Sequence, residues 1–344
     1  MIRSDNSRST TPRIPAPDSG SPERDDRRSP PSPRRPCTWA SGSMLHGRYE
    51  LLWGVGAGTS SVVYAAREHE TNRVVALKRF AAASRPTPSA LDRVHREIRR
   101  IQEMQHPGIV PIHEFLVEGE EGVIITEFAP GQSLADRLRQ RGALSVDEVV
   151  NLGLALAGTL AVAHDAGIVH RDIKPANVML GQLSGPRLTD FSGTSPGPRG
   201  VRTSPGSERP SPHFAAPERR PGRRGDPRED VYGLGLTLYI ALVNELPRGI
   251  ASGNPPSPGR DGFHPSQSST GSSIPRWLDE VIARATAPRP RTRYSDGRAF
   301  LQVLESLRTR EDIVRDRAPE WSRLPSLAMS TTWPLSETSP VLTA

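Results

Sequence analysis

The sequence predicts an α+β fold of two lobes: a small antiparallel sheet with one main helix, then a larger and mostly helical lobe. Residues 49–83 show strand-like alternation and short apolar runs rich in Val, Leu and Tyr. Beyond Pro130 the apolar pattern takes on the spacing of helices. A run of strands followed by a run of helices is the order of an α+β protein.

Taken in order, Tyr49 to Ala83 is broken by Gly56-Ala57-Gly58 and by Glu70-Thr71-Asn72, which predicts three antiparallel strands joined by tight turns. Ser89 to Met104 reads as a helix, with Leu91, Val94, Ile98 and Ile101 on one stripe and Ser89 as its cap, Asp92 following three residues later. Val110–Leu116 and Gly122–Phe128 read as two further strands. In the second lobe, Ser145 and Glu148 form a capping box ahead of a long apolar helix running to about Ala166. Glu229–Asn244, Trp277–Ala285 and Asp296–Arg308 are further helices, and the Ser/Pro/Gly-rich stretch 248–273 reads as a mobile insertion.

The ends differ in character. Residues 1–43 are Ser, Pro, Arg and Asp with almost nothing apolar, a composition that cannot bury enough surface to offset chain entropy, so a disordered arm is expected. Residues 309–344 are expected to be a disordered tail, because Trp321, Leu324, Leu327 and Trp333 lie too far apart to form a core. The folded domain is therefore placed at 46–308, with lobes 46–128 and 131–308.

Composition narrows the function. The single cysteine, Cys37, excludes a disulfide framework and a thiolate metal site and suits a reducing cytoplasm. No run approaches the ~18 consecutive apolar residues of a membrane span, so a soluble cytoplasmic protein without a membrane partner is expected. The net charge of +7 is concentrated in the first arm and in the Pro-rich stretch 199–228, with no basic helix face interleaved with aromatics, which argues against nucleic-acid binding. The oligomeric state is left open.

Of the 45 basic residues only two are lysines, Lys78 and Lys174. Coding bias toward arginine accounts for the scarcity but not for the placement of both inside motifs suited to phosphoryl chemistry. A compact ammonium fits a tight phosphate site that a planar guanidinium does not.

Those motifs are Val55-Gly56-Ala57-Gly58-Thr59-Ser60-Ser61-Val62-Val63-Tyr64, Val75-Ala76-Leu77-Lys78, Glu127-Phe128-Ala129-Pro130-Gly131, His170-Arg171-Asp172-Ile173-Lys174-Pro175-Ala176-Asn177, Asp190-Phe191-Ser192 and Ala216-Pro217-Glu218. In this order they resemble the eukaryotic-type (Hanks-type) protein kinases in their bacterial form, the Ser/Thr kinases, over about His46 to Leu307. The resemblance implies the two-lobed protein-kinase fold and transfer of the γ-phosphate of ATP to Ser or Thr hydroxyls of protein substrates, with Mg2+ or Mn2+ as the metal. It implies that Val55, Gly56, Gly58, Val63 and Ala76 surround ATP, with Glu127 and Ala129 bonding the adenine edge through their backbones and Thr126 as a small gatekeeper. Lys78 would hold the α and β phosphates and pair with Glu97. Asp172 would take or orient the substrate hydroxyl proton, Lys174 would neutralise the moving phosphoryl group, and Asn177 and Asp190 would hold the metal.

The resemblance also implies an activation segment containing Thr194, Ser195, Thr203, Ser204, Ser207 and Ser211, with autophosphorylation at Thr203 or a neighbour, read by Arg171. Asp230 would brace the catalytic loop, and Glu218 would pair with Arg293. Two departures from the family pattern stand out: Ser61 replaces the third glycine of the first motif, and Ser192 replaces a glycine beside Asp190. They motivate the alternative of a pseudokinase acting as a nucleotide-binding scaffold. A small-molecule phosphotransferase of related fold is disfavoured by Lys174 and Ala216-Pro217-Glu218.

Overall fold

The computed structural model describes residues 39–57, 61–81, 88–118, 121–181, 185–191, 213–220, 223, 225–251, 262–268 and 274–310. The first lobe is a six-stranded sheet built from β1 (Met44–Leu45), β2 (Tyr49–Ala57), β3 (Ser61–Glu68), β4 (Arg73–Ala81), β5 (Ile112–Glu118) and β6 (Glu121–Glu127). Its order is β1-β2-β3-β4-β6-β5, antiparallel throughout. Alternation decides which face is buried: Tyr49, Leu51, Tyr64, Ala66, Val75, Leu77, Val123 and Ile125 form one cluster. Register places Lys78 beside Val63 on one side and Ile124 on the other, and Ala76 beside Thr126, so five cleft residues lie on neighbouring strands.

The helix α1 (Pro88–Glu103) starts at Pro88, so Ser89 lies inside its first turn and is not the cap expected for it. Proline is well suited to that first position, having no N–H to leave unsatisfied. Val94, Ile98 and Ile101 then face the larger core together with Phe115 of β5.

The second lobe begins with β7 (Gln132–Ser133) and α2 (Leu134–Arg141), neither anticipated. Its centre is α3 (Val146–Asp165), which has the expected capping box: Ser145 Oγ accepts from Glu148 N at 3.3 Å, and the Glu148 carboxylate accepts from Ser145 N at 2.8 Å. By length and hydropathy α3 could cross a membrane, but Val149, Leu152, Leu156 and Leu160 are buried in this lobe's core. Against it pack α4 (Pro227–Val243) and α7 (Gly297–Arg310), with α6 (Arg276–Ala285) packed on α4, while β8 (Val178–Gly181) and β9 (Gly185–Leu188) form a hairpin that pairs with β7. α4 is capped at both ends, by Asp226 and by Asn244 in the left-handed region at φ 56°.

Two expectations are corrected. Residues 39–43 belong to the folded unit: Trp39 stacks on Tyr64 with ring centroids 5.6 Å apart, and the Arg79 guanidinium lies 4.6 Å from the Trp39 ring. Within the stretch 248–273 the two described pieces, 248–251 and 262–268, are packed. α5 (Arg248–Ala251) buries Ile250, and Phe263 to Ser266 are tied down by Phe263 N to Thr286 Oγ1 at 2.8 Å and Ser266 N to Asp279 Oδ1 at 2.8 Å. The remaining positions of that stretch, and residues 1–38 and 311–344, lie outside the described residues.

Candidate active site

Between the sheet and the helical lobe lies a cleft of about 290 Å³. Val55, Gly56, Val63, Ala76, Lys78, Glu127 and Ala129 all line it, together with Thr126, the proposed gatekeeper. Gly58, like Ser192, Thr194, Ser195, Thr203, Ser204, Ser207 and Ser211, lies outside the described residues. Ser61 opens β3.

At the cleft's deep end Lys78 Nζ is 2.7 Å from Asp190 Oδ2, the pair being roughly one-quarter exposed at 22% and 25%. The expectation named Glu97 of α1 as the partner of Lys78; the contact the structure gives the ammonium is Asp190. The physical reason is local. Asp190 sits at φ 67°, a left-handed conformation that turns its carboxylate toward β4, and one ammonium neutralises the nearest partly buried carboxylate.

The catalytic loop explains itself atom by atom. Asp172 Oδ2 accepts from Lys174 Nζ at 2.8 Å and from Asn177 Nδ2 at 3.0 Å, while Asn177 Nδ2 also reaches Asp172 O at 2.8 Å. Oδ1 of the same carboxylate is buried and has no hydrogen-bond partner among the described residues. Burial pushes the Asp172 carboxyl up, yet the Lys174 ammonium and the Asn177 amide outweigh it and hold the group below its usual range. Asp172 is thus an ionised carboxylate, 22% exposed as a side chain, with Oδ2 held by two donors and Oδ1 buried.

The loop is fixed from beneath. Asp230, fully buried on α4, accepts from His170 N at 2.7 Å, Arg171 N at 2.6 Å and His164 Nε2 at 2.9 Å. Those bonds hold Arg171 at φ 68°, a conformation a non-glycine residue keeps only when its surroundings impose it. His170 Nδ1 accepts from Asp172 N at 3.2 Å, leaving Nε2 to donate to Thr189 O at 2.8 Å, and the ring packs edge-on against Phe191 at 4.5 Å. One histidine therefore ties the loop bearing Asp172 to the segment bearing Asp190.

Arg293 and Glu218 meet as a bidentate pair at 2.7 and 2.9 Å. The guanidinium also donates to Ala287 O, Arg228 O and Pro288 O, so all five of its N–H groups are used, and it lies 4.8 Å from the Tyr232 ring. Beside the catalytic loop a second basic group gathers. Arg219 Nη1 donates to Arg171 O at 2.5 Å, and Arg171 Nε stands 3.8 Å from Glu229 Oε2. Burial lowers the Arg219 pKa, with the nearby Arg171 charge acting in the same direction, and burial raises that of Glu229, so neither the cation nor the carboxylate of this group is fully compensated.

Several cleft residues were not anticipated. Met179 forms part of the lining from β8, and the strand alternation of Val178-Met179-Leu180 could have marked it. Gly131, at φ 128°, also lines the cleft; a Cβ there would meet Leu180 O at 2.4 Å, so only glycine fits. Asp136, which lines the cleft as well, belongs to the Ser133 capping box of α2.

Comparison with known proteins bears on this geometry. The protein kinase domain family matches residues 49–303. A probable serine/threonine-protein kinase of Clostridium perfringens is 29% identical over 273 residues, covering 78% of this chain and 39% of that protein. Serine/threonine-protein kinase PrkC of Bacillus subtilis is 29% identical over 256 residues, covering 74% of this chain and 39% of that protein. PknL of Mycobacterium tuberculosis is 29% identical over 266 residues, covering 77% and 67% respectively. The chain thus spans about two-fifths of the length of the first two. Among solved structures, the kinase domain of Mycobacterium tuberculosis PknI superposes with a TM-score of 0.61 at 26% identity, covering 78% of this chain and 98% of that one.

Proposed function

The chain belongs to the protein kinase domain family, and on that premise we propose that it is a serine/threonine protein kinase that moves the γ-phosphate of ATP to hydroxyls of protein substrates. The observation that carries this is the environment of Asp172: a carboxylate kept ionised, with Oδ2 held by Lys174 and Asn177 and the side chain 22% exposed. A substrate hydroxyl donating to this carboxylate would be oriented for attack and would lose its proton to a group kept ionised. Lys174, within 2.8 Å of that carboxylate, is placed to offset negative charge on the transferring group. Lysine at this position supports a serine/threonine rather than a tyrosine acceptor.

The donor set near the phosphates fits a hard divalent cation. Asp190 offers a carboxylate and Asn177 an amide oxygen, and Mg2+ binds through one or two protein oxygens plus phosphate and water. When bound there it would supply charge neutralisation between the β and γ phosphates. This all-oxygen pair suits Mg2+ and Mn2+ alike. The chain's own part is to place Asp190 with Lys78 on one side and Phe191 packed on His170 on the other.

The paired cations Arg171 and Arg219 support autophosphorylation within 194–211, since a phosphate would complete their charge balance. We place the domain in the cytoplasm, where ATP is supplied, acting on proteins and not on nucleic acid or membrane. The test is transfer of label from γ-labelled ATP with Mg2+, and separately Mn2+, to a generic basic protein, beside Asp172→Ala. Label on Ser or Thr, lost in the variant, is the expected result. No transfer together with an ATP-dependent rise in melting temperature would instead favour a nucleotide-binding scaffold.

A further inference from the structure

A second concavity, of about 680 Å³, lies away from the ATP cleft, between α3, α7, the β8–β9 hairpin and the segment His106-Pro107-Gly108. Its floor is made of small residues. A Cβ added at Gly158 or at Gly185 would meet nothing within 4 Å, so both positions leave open space above the backbone. Gly108 has no such freedom: a Cβ there would meet Thr159 Oγ1 at 2.0 Å. One wall is α7 itself, through Leu301, Glu305 and Arg308 at helical spacing on one face.

We infer that this groove docks the chain's own segment beyond α7, with Trp321 as the anchor. Three facts on the page select that occupant. Arg308, in the wall, lies two residues before α7 ends at Arg310, and 34 residues follow. Trp321 lies eleven positions beyond Arg310, a reach of up to about 35 Å when extended, against about 21 Å for the whole of α7. Trp321, Leu324 and Leu327 recur at intervals of three, offering one large aromatic and two apolar side chains to a glycine-floored trough. Tethering makes the encounter intramolecular, with an effective concentration in the millimolar range for a short linker. The groove also borders catalysis. Gly108 O accepts from Leu188 N at 2.7 Å, Val110 N donates to Leu188 O at 2.9 Å, and Leu188 is two residues from Asp190.

The experiment replaces Trp321 with the photo-crosslinker benzoylphenylalanine in the full chain, which keeps the aromatic bulk, and maps crosslinked peptides by mass spectrometry at low micromolar protein. Docking predicts crosslinks within single chains onto residues of α3, α7 or 185–188. Gly158→Leu, which fills the trough where the backbone leaves room, should lower their yield at least about tenfold without lowering the melting temperature. A second readout is amide exchange: Trp321→Ala should accelerate exchange at 106–109 and 185–188 by about tenfold while other core amides hold. Crosslinks to another surface, crosslinks only between two chains, or a yield unchanged by Gly158→Leu would each overturn the inference. None of these readouts depends on kinase activity, so their failure is separate from failure of the functional proposal.

Discussion

Lys78 and Asp190 form a 2.7 Å ion pair across the cleft, joining the strand lobe's ammonium directly to the helical lobe's carboxylate. Lys78→Arg keeps the charge but replaces a point donor with a wide fork. The expected outcome is loss of kcat/KM by about a hundredfold or more, with the melting temperature essentially unchanged. Steady-state kinetics and a thermal melt check both halves, and near wild-type turnover would refute the steric reading of the two lysines.

Asp230→Asn tests the brace beneath the catalytic loop. Two backbone N–H groups and His164 Nε2 converge on this fully buried carboxylate, and an amide would set at least one donor against another. A loss of about 3 kcal/mol in urea denaturation is expected, together with a fall in kcat as Arg171 relaxes from its left-handed conformation. Unchanged stability would mean that the loop holds its shape without Asp230.

Arg293→Lys asks whether geometry or charge matters at the bidentate pair. Lysine carries three donors where the structure uses five, so Glu218 keeps a counter-charge but several carbonyls lose partners. Destabilisation of about 3 kcal/mol is expected, and Glu218→Gln should cost less because Arg293 retains its three carbonyl bonds.

The pH dependence follows from Asp172. Burial acts to raise its pKa and Lys174 is the main opposing charge, with the net shift downward. A depressed carboxyl stays ionised as pH falls and loses its stabilising contribution only on passing through the lowered folded value. No acid limb from Asp172 should therefore appear in kcat/KM between pH 5 and 8. Lys174→Ala leaves burial in force and removes the opposing charge, so the limb should move upward toward that window while kcat falls. A pH profile in which the variant only scales the wild-type curve would contradict this.

Autophosphorylation predicts phosphate on at least one of Thr194, Ser195, Thr203, Ser204 or Ser207 in an active preparation, with Arg171 and Arg219 as its partners. Phosphosite mapping that finds all five unmodified in active protein would eliminate it. Arg219→Ala should then reduce the activity gained on preincubation with ATP, without altering ATP affinity.

Much of this molecule was legible because its signals are local. Capping at Ser145, alternation through β3, β4 and β6, and the compact run 170–177 each announce themselves within a few residues. What escaped depends on partners far along the chain. The Lys78 pairing is chosen by the backbone angle of Asp190, 112 positions away. Trp39 reads as part of a polar arm until Tyr64 and Arg79 enclose it. His264 reads as insertion until Asp279 accepts from its ring at 2.6 Å. β7 and α2 were overlooked because such short elements gain stability from packing more than from propensity.

Lys78, which lines the cleft, and Lys174, bonded to Asp172, with 22% and 19% of their side chains exposed, are also the chain's only side-chain primary amines. Acetylation, ubiquitin attachment or any acyl transfer to lysine has no neutral place to land and must fall on the catalytic apparatus. For the same reason, modification of lysine side chains, read apart from the α-amine by peptide mapping, titrates the active site, and nucleotide protection against it would count competent clefts.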